Sequence, residues 1–180
     1  LRDFVSRADA EGYDAINFLE FTFLPTRESP DHDRADYDRT MRHYYPFLPS
    51  FPHRLNLWKK HPAPLGLAES GGHVVEFPGL RMSPESGRMK HYLFLSVAHA
   101  LEKYGKRQHD PAALAKGWHG WRARLFGTPA SARPELLDLP SSADLRYAAT
   151  DDGLDPSEPL TRHPWMEEWV RRVGELGDAT

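Results

Sequence analysis

Apolar positions recur along this chain with two different periods. Leu1, Phe4, Val5 and Ala8 fall at helical spacing and Gly12 follows as a stop signal, so residues 1–11 are expected to form a short helix. Residues 14–24, DAINFLEFTFL, change to period two, with Asn17, Leu19, Phe21 and Phe23 on one face and Ile16, Phe18, Glu20 and Thr22 on the other. Apolar residues on both faces predict a central strand of an α/β sheet. Because the first residues already read as the middle of a helix, the chain is expected to be a fragment that lacks an upstream part.

The stretch from Ser70 to Arg107 organises the rest of the chain. A short strand is expected at His73–Phe77 and a Gly/Pro/Ser loop at Pro78–Gly87. A polar-to-apolar switch comes next, at Met89-Lys90-His91-Tyr92. Ser96 then suits the N-cap of a helix carrying Val97, Ala98, Leu101 and Tyr104 at helical spacing. This reading sets His91 at the entrance to a helix, with His73 at the start of the preceding strand. Upstream of this stretch, residues 37–48 read as a helical turn or an extended lid ending at Pro46 and Pro49. Pro52–Lys60 reads as a strand with Leu55 and Leu57 inward. Downstream, residues 111–126 read as a helix broken at Gly117. A Pro/Ser/Asp-rich loop follows, and then a terminal helix over 163–176 with an apolar stripe of Trp165, Trp169, Val173 and Leu176.

Composition narrows the chemistry. With no cysteine among 180 residues, disulfides, thiolate catalysis and zinc–thiolate sites are excluded, and a metal would have to be held by His, Asp, Glu or backbone oxygen. The 23 basic and 26 acidic residues nearly cancel, which argues against a nucleic-acid footprint. No apolar run is long enough to span a bilayer, and a cytoplasmic protein is expected. Sixteen prolines point to one core with considerable irregular chain around it.

Several residues admit both a chemical and a plain reading. Glu20 is a carboxylate in an apolar strand, either near a solvated strand end or placed for chemistry. Asp31-His32-Asp33 could share a divalent cation, or be solvated and capping. Arg42, His43, Tyr44, Tyr45, His53, Arg54 and Trp58 could form a sugar- or phosphate-contacting surface, or a packed aromatic cluster. Trp118, His119, Trp121 and Arg122 could close a core or present a carbohydrate platform. His91 could be a ligand or a hydrogen-bonded core histidine.

The order of DAINFLEFTFLP, HRLNLWKK, Gly-Gly-His, His-Tyr, a helix bearing Ser96, and Lys103 resembles the C-terminal half of the family 2-like glycosyltransferases of the GT-A fold. The bacterial branch whose chains end in a His-Tyr…Ser…Lys segment is the most similar, and the resemblance covers residues 1–125. It implies an α/β fold, a mixed sheet with flanking helices, truncated at the N-terminus. Residues 1–126 would form the acceptor side, and 127–180 a Pro-rich extension ending in a helix. The resemblance further implies a nucleotide-sugar donor, a glycan or other hydroxyl acceptor, and Mn²⁺ or Mg²⁺ on the diphosphate. By position, His91 matches the metal-completing histidine, and Arg88 and Lys90 could offset phosphate charge. His73 could face the acceptor, with Arg54, Tyr92, Trp118 and Trp121 as further substrate contacts. Glu85 and Glu20 are the carboxylates available as base on the acceptor hydroxyl. The family's Asp-x-Asp precedes the equivalent of residues 1–24, so Asp31 and Asp33 stand as metal candidates on the other side of that strand.

Two further functions remain open at this level. One is a non-catalytic carbohydrate-binding or interaction module stacking sugars on Trp118, Trp121, Tyr44 and Tyr45. The other is a metal-dependent hydrolase using Asp31, Asp33, His73 and His91, against which stands the absence of any His-x-His or His-x-x-x-His pair.

Overall fold

The computed structural model describes residues 1–49, 54–62, 65–67, 70, 72–105, 107–108, 110–116, 138–160 and 163. Trp118, Trp121, His53, the second half of the 111–126 helix and the terminal helix after residue 163 lie outside the described residues. Helices and sheets mix along the chain, as expected at the level of class. In order they are α1 (Arg2–Ala10), β1 (Ala15–Ile16), β2 (Phe18–Phe23), α2 (Tyr37–Thr40), β3 (His43–Phe47), β4 (Leu57–Trp58), β5 (Gly87–Tyr92), α3 (Val97–Gly105), α4 (Pro111–Ala115) and β6 (Arg146–Tyr147). One sheet has strand order β5-β2-β3-β6, so β2 is central as its two apolar faces predicted, and a smaller one pairs β1 with β4 antiparallel.

The chain divides into two compact units: Leu1–Thr22 with Pro46–His91 and Asp155–Arg162, and Phe23–Tyr45 with Tyr92–Leu154 and His163–Thr180. In the first unit, α1 ends at Gly12, whose φ of +79° only glycine adopts without strain. Ala15, Leu55 and Val75 form a buried cluster against which Trp58, Leu65 and Phe77 pack. The expected strand at His73–Phe77 is instead irregular chain. Ser70 explains this: its buried hydroxyl oxygen accepts from His73 N at 3.2 Å and Val74 N at 2.9 Å, taking backbone donors that a ladder would need. The segment is still anchored, because Leu55 N donates to His73 O and Glu76 N to Leu65 O.

The stretch before α3 is also corrected. Gly87–Tyr92 is a strand, so His91 lies on β5 and not at a helix entrance. Gly87 permits it: a Cβ there would lie 2.6 Å from the Phe18 ring, and Gly87 N donates to Asn17 O at 2.8 Å. The expected strand over 52–60 shrinks to Leu57–Trp58 among the described residues, although Leu55 is buried as predicted. The 37–48 segment splits into a single helical turn and β3, which runs through Pro46.

In the second unit, the Phe23 and Tyr92 rings stack at 4.9 Å, Tyr37 meets Tyr92 edge-on at 4.7 Å, and Tyr44 lies 5.5 Å from Phe23. Ser96 caps α3 as predicted, its oxygen accepting from His99 N at 3.0 Å. Lys103 Nζ donates to Leu93 O at 2.7 Å. Asp110 caps α4 through Ala112 N, with Pro111 in the first turn. β6, from the chain after residue 126, pairs antiparallel with β3.

Candidate functional site

Side chains far apart in sequence meet in the first unit. Glu20 on β2 and His91 on β5 occupy neighbouring strands, and His91 Nδ1 lies 2.6 Å from Glu20 Oε1. Thr22, two residues along β2 and so on the same face as Glu20, donates its hydroxyl to that oxygen at 3.1 Å. On the other side, Arg54 Nε faces Glu20 Oε2 at 3.0 Å, in an ion pair rather than an aligned hydrogen bond. Arg54 Nη1 then lies 2.9 Å from His73 Nδ1 and 3.2 Å from Nε2.

Local backbone bonds fix this arrangement. Asn17 interrupts β1 and β2, and its Oδ1 accepts from Arg54 N at 2.8 Å. Phe18 N donates to Arg54 O, and Leu55 N to His73 O. The guanidinium also lies over the Phe47 ring, 5.6 Å from its centroid.

Burial decides what each member can do. The Glu20 side chain is 0% exposed, Arg54 15% and His91 38%. Burial alone would raise the Glu20 pKa. The hydrogen bond from His91, the charges of Arg54 and His91, and the Thr22 hydroxyl more than offset it, so the carboxyl is held below its ordinary value. An ionised carboxylate only accepts, so the proton on the His91–Glu20 bond belongs to Nδ1. Nε2 is then the nitrogen left for chemistry. An imidazole oriented by a carboxylate in this way is suited to take a proton from a hydroxyl. The same arrangement also stands behind many metal-bound histidines. Glu20 is fully buried, with its carboxylate held by His91 and Thr22 on one oxygen and facing Arg54 with the other.

The other predicted residues have different surroundings. Glu85 is exposed, and its carboxylate is engaged by Arg7 at 2.9 Å. Arg88 is exposed and Lys90 half-buried on β5. The Tyr92 ring packs between Phe23 and Tyr37. Asp31 lies in the loop before α2, and Asp33 Oδ1 accepts from Ala35 N at 2.8 Å, a turn-forming bond. Among the described residues no three His, Asp or Glu side chains gather as a group that could hold a metal. Tyr44 and Tyr45, offered as sugar-stacking faces, are buried at 1% and 2% exposure, and Tyr44 donates to Gly153 O. Sequence reasoning missed Thr22 and Asn17 as site residues. The period-two pattern that put Thr22 on the Glu20 face was the available signal for the first.

Comparison of the chain with protein-family models, curated proteins and solved structures found no match. Among the described residues no helix is long and apolar enough to cross a membrane.

Proposed function

We propose that this chain is the acceptor side of a family 2-like glycosyltransferase, with His91 as the base that takes the proton from the acceptor hydroxyl. One observation carries the reading. The resemblance rests on segments that contain Glu20 (DAINFLEFTFLP), Arg54 (HRLNLWKK), His73 (Gly-Gly-His) and His91 (His-Tyr), and these four side chains form one continuous polar chain. The His91–Glu20 contact that closes this chain joins residues 71 positions apart.

In an inverting transfer, the acceptor oxygen bonds the anomeric carbon of the donor sugar as the bond to the departing diphosphate breaks. His91 Nε2 receives the hydroxyl proton, and the Glu20 carboxylate offsets the charge on the imidazolium. Arg54 helps hold Glu20 ionised, so that the carboxylate is available to offset that charge. A second reading uses the same nitrogen differently. The carboxylate behind Nδ1 favours Nε2 as one ligand of a Mn²⁺ or Mg²⁺ ion, although the described residues supply no complete set of ligands.

The test is calorimetric titration of UDP and GDP, with and without Mn²⁺, against the full-length gene product, together with a transfer assay. If His91 is the base, His91→Ala leaves nucleotide affinity unchanged and lowers transfer by about 10²- to 10⁴-fold. If His91 is a ligand, the variant loses the Mn²⁺-dependent part of the affinity. No nucleotide binding under either condition overturns the transferase reading.

A further inference from the structure

A cavity of about 230 Å³ lies in the first unit between α1 and the β1–β4 ladder. The ladder sets which side chains share its face. Ala15 pairs with Trp58 and Ile16 with Leu57, and Lys59 N donates to Asp14 O at 2.8 Å, so the register continues to Asp14 opposite Lys59. Alternation puts Asp14, Ile16, Leu57 and Lys59 on one face, and Ala15 and Trp58 on the other, where the Ala15–Leu55–Val75 cluster lies. Val5 and Ala8 of α1 line the cavity with that first face. Glu20, Arg54, His73 and His91 do not line it.

The walls specify a ligand with two charged ends on one apolar body. Asp14 Oδ2 accepts from Arg81 N at 3.0 Å, and Oδ1 accepts from none of the described residues. Lys59 Nζ meets Asp9 Oδ1 at 2.7 Å, which leaves two of its three N–H groups for another acceptor. A carboxylate only accepts and an ammonium only donates, so this cross-strand pair fits a donor and an acceptor held side by side. The next pair on the same face, Ile16 and Leu57, lies two residues or about 7 Å along and is apolar. The volume exceeds the cavity of about 150 Å³ that accepts benzene and falls below the roughly 300 Å³ of pockets for drug-sized ligands. A free α-amino acid with an aliphatic side chain meets each condition. Its ammonium group faces Asp14, its carboxylate faces Lys59, and its side chain covers Ile16, Leu57, Val5 and Ala8.

We infer that this cavity is a binding site for a zwitterionic aliphatic amino acid. The site is separate from the Glu20–His91 cluster and does not rest on the transferase reading.

The probes are L-leucine and three compounds that each lack one of its features: isoamylamine without the carboxylate, 4-methylpentanoate without the ammonium, and glycine without the side chain. Each is titrated into the chain while the amide NMR shifts of Val5, Ala8, Leu57 and Lys59 are followed. L-leucine should bind saturably and about ten-fold or more tightly than each of the others. Asp14→Asn, which keeps an acceptor for Arg81 N, and Lys59→Met, at a partly exposed position, should each remove about ten-fold, with unchanged far-UV circular dichroism. His91→Ala should leave leucine binding as it is. No binding of L-leucine, equal binding of the four probes, or leucine affinity that survives both Asp14→Asn and Lys59→Met overturns the site. Isoamylamine binding as tightly as leucine overturns the role of Lys59 and with it the amino-acid assignment.

Discussion

At the residue scale, the behaviour of the site stems from one buried carboxylate. Glu20 is removed from water and is tolerable as an anion because His91, Arg54 and Thr22 surround it. Removing one member of a buried pair leaves an uncompensated charge, so Arg54→Ala should destabilise the protein by about 3–5 kcal/mol in urea unfolding at pH 7. Glu20→Gln together with Arg54→Met should recover much of that loss, since the pair itself adds little net stability. The pH dependence has a definite sign. The folded pKa of Glu20 lies below its ordinary value of 4.5, so its contribution is complete above 4.5 and is lost as pH falls through the folded value. Unfolding free energy of the wild type should therefore fall more steeply below pH 4.5 than that of Glu20→Gln, and parallel curves would refute the account. Glu20 stood out in the sequence as a carboxylate in an apolar strand. Its burial did not, because burial was made possible by a guanidinium and an imidazole that local pattern cannot locate.

At the element scale, legibility depended on whether the determinants were local. Gly12 ending α1, the two-faced strand containing β2 and the Ser96 cap of α3 each arise from residues within a turn or two, and each was predicted. β5 and the irregular chain at 73–77 were not. β5 alternates weakly and depends on Gly87 fitting against the Phe18 ring, a contact made by distant chain. Gly87→Ala forces that ring aside and should cost about 1–3 kcal/mol by overpacking, with Phe18→Leu in the same chain restoring part of it. The start of α3 gives a second test. Leu95 N donates to His99 Nδ1 at 3.0 Å, so that nitrogen must be unprotonated. Burial, reinforced by the nearby Arg34 and Lys103 and opposed by Glu102, lowers the His99 pKa below 6.5. This contribution is full above pH 6.5 and is lost as pH falls through the folded value. The Leu95 amide should lose hydrogen-exchange protection over that range, and His99→Gln, whose side-chain oxygen can still accept, should remove the dependence.

At the scale of the whole chain, closure depends on contacts between segments more than a hundred residues apart, where sequence pattern says least. The Pro/Ser/Asp-rich stretch read as loop contains β6, and its residues 139–142 are held in the second unit by residues just after β2. Arg27 N donates to Pro140 O and Arg27 Nε to Leu139 O. Glu28 Oε2 accepts from Ser142 N at 2.8 Å and Oε1 from the Ser141 hydroxyl at 2.9 Å. Charge-assisted bonds of this kind favour the anion, and they push the Glu28 pKa down to about 2, with the Ser142 backbone bond as the main cause and Ser141 next. The carboxylate is nevertheless exposed, so its effect is read locally rather than as global stability. Since the folded pKa is depressed from 4.5, the tether is complete above 4.5 and is lost only as pH falls through about 2. The Ser142 amide proton should therefore keep its chemical shift from about pH 6 down to about 3, and begin to move only below that. Glu28→Gln should shift the same amide at neutral pH, because a neutral acceptor makes a weaker bond. A titration of Ser142 centred near 4.5 would mean that Glu28 is solvated as an ordinary surface carboxylate and contributes no charge-assisted bond to the tether.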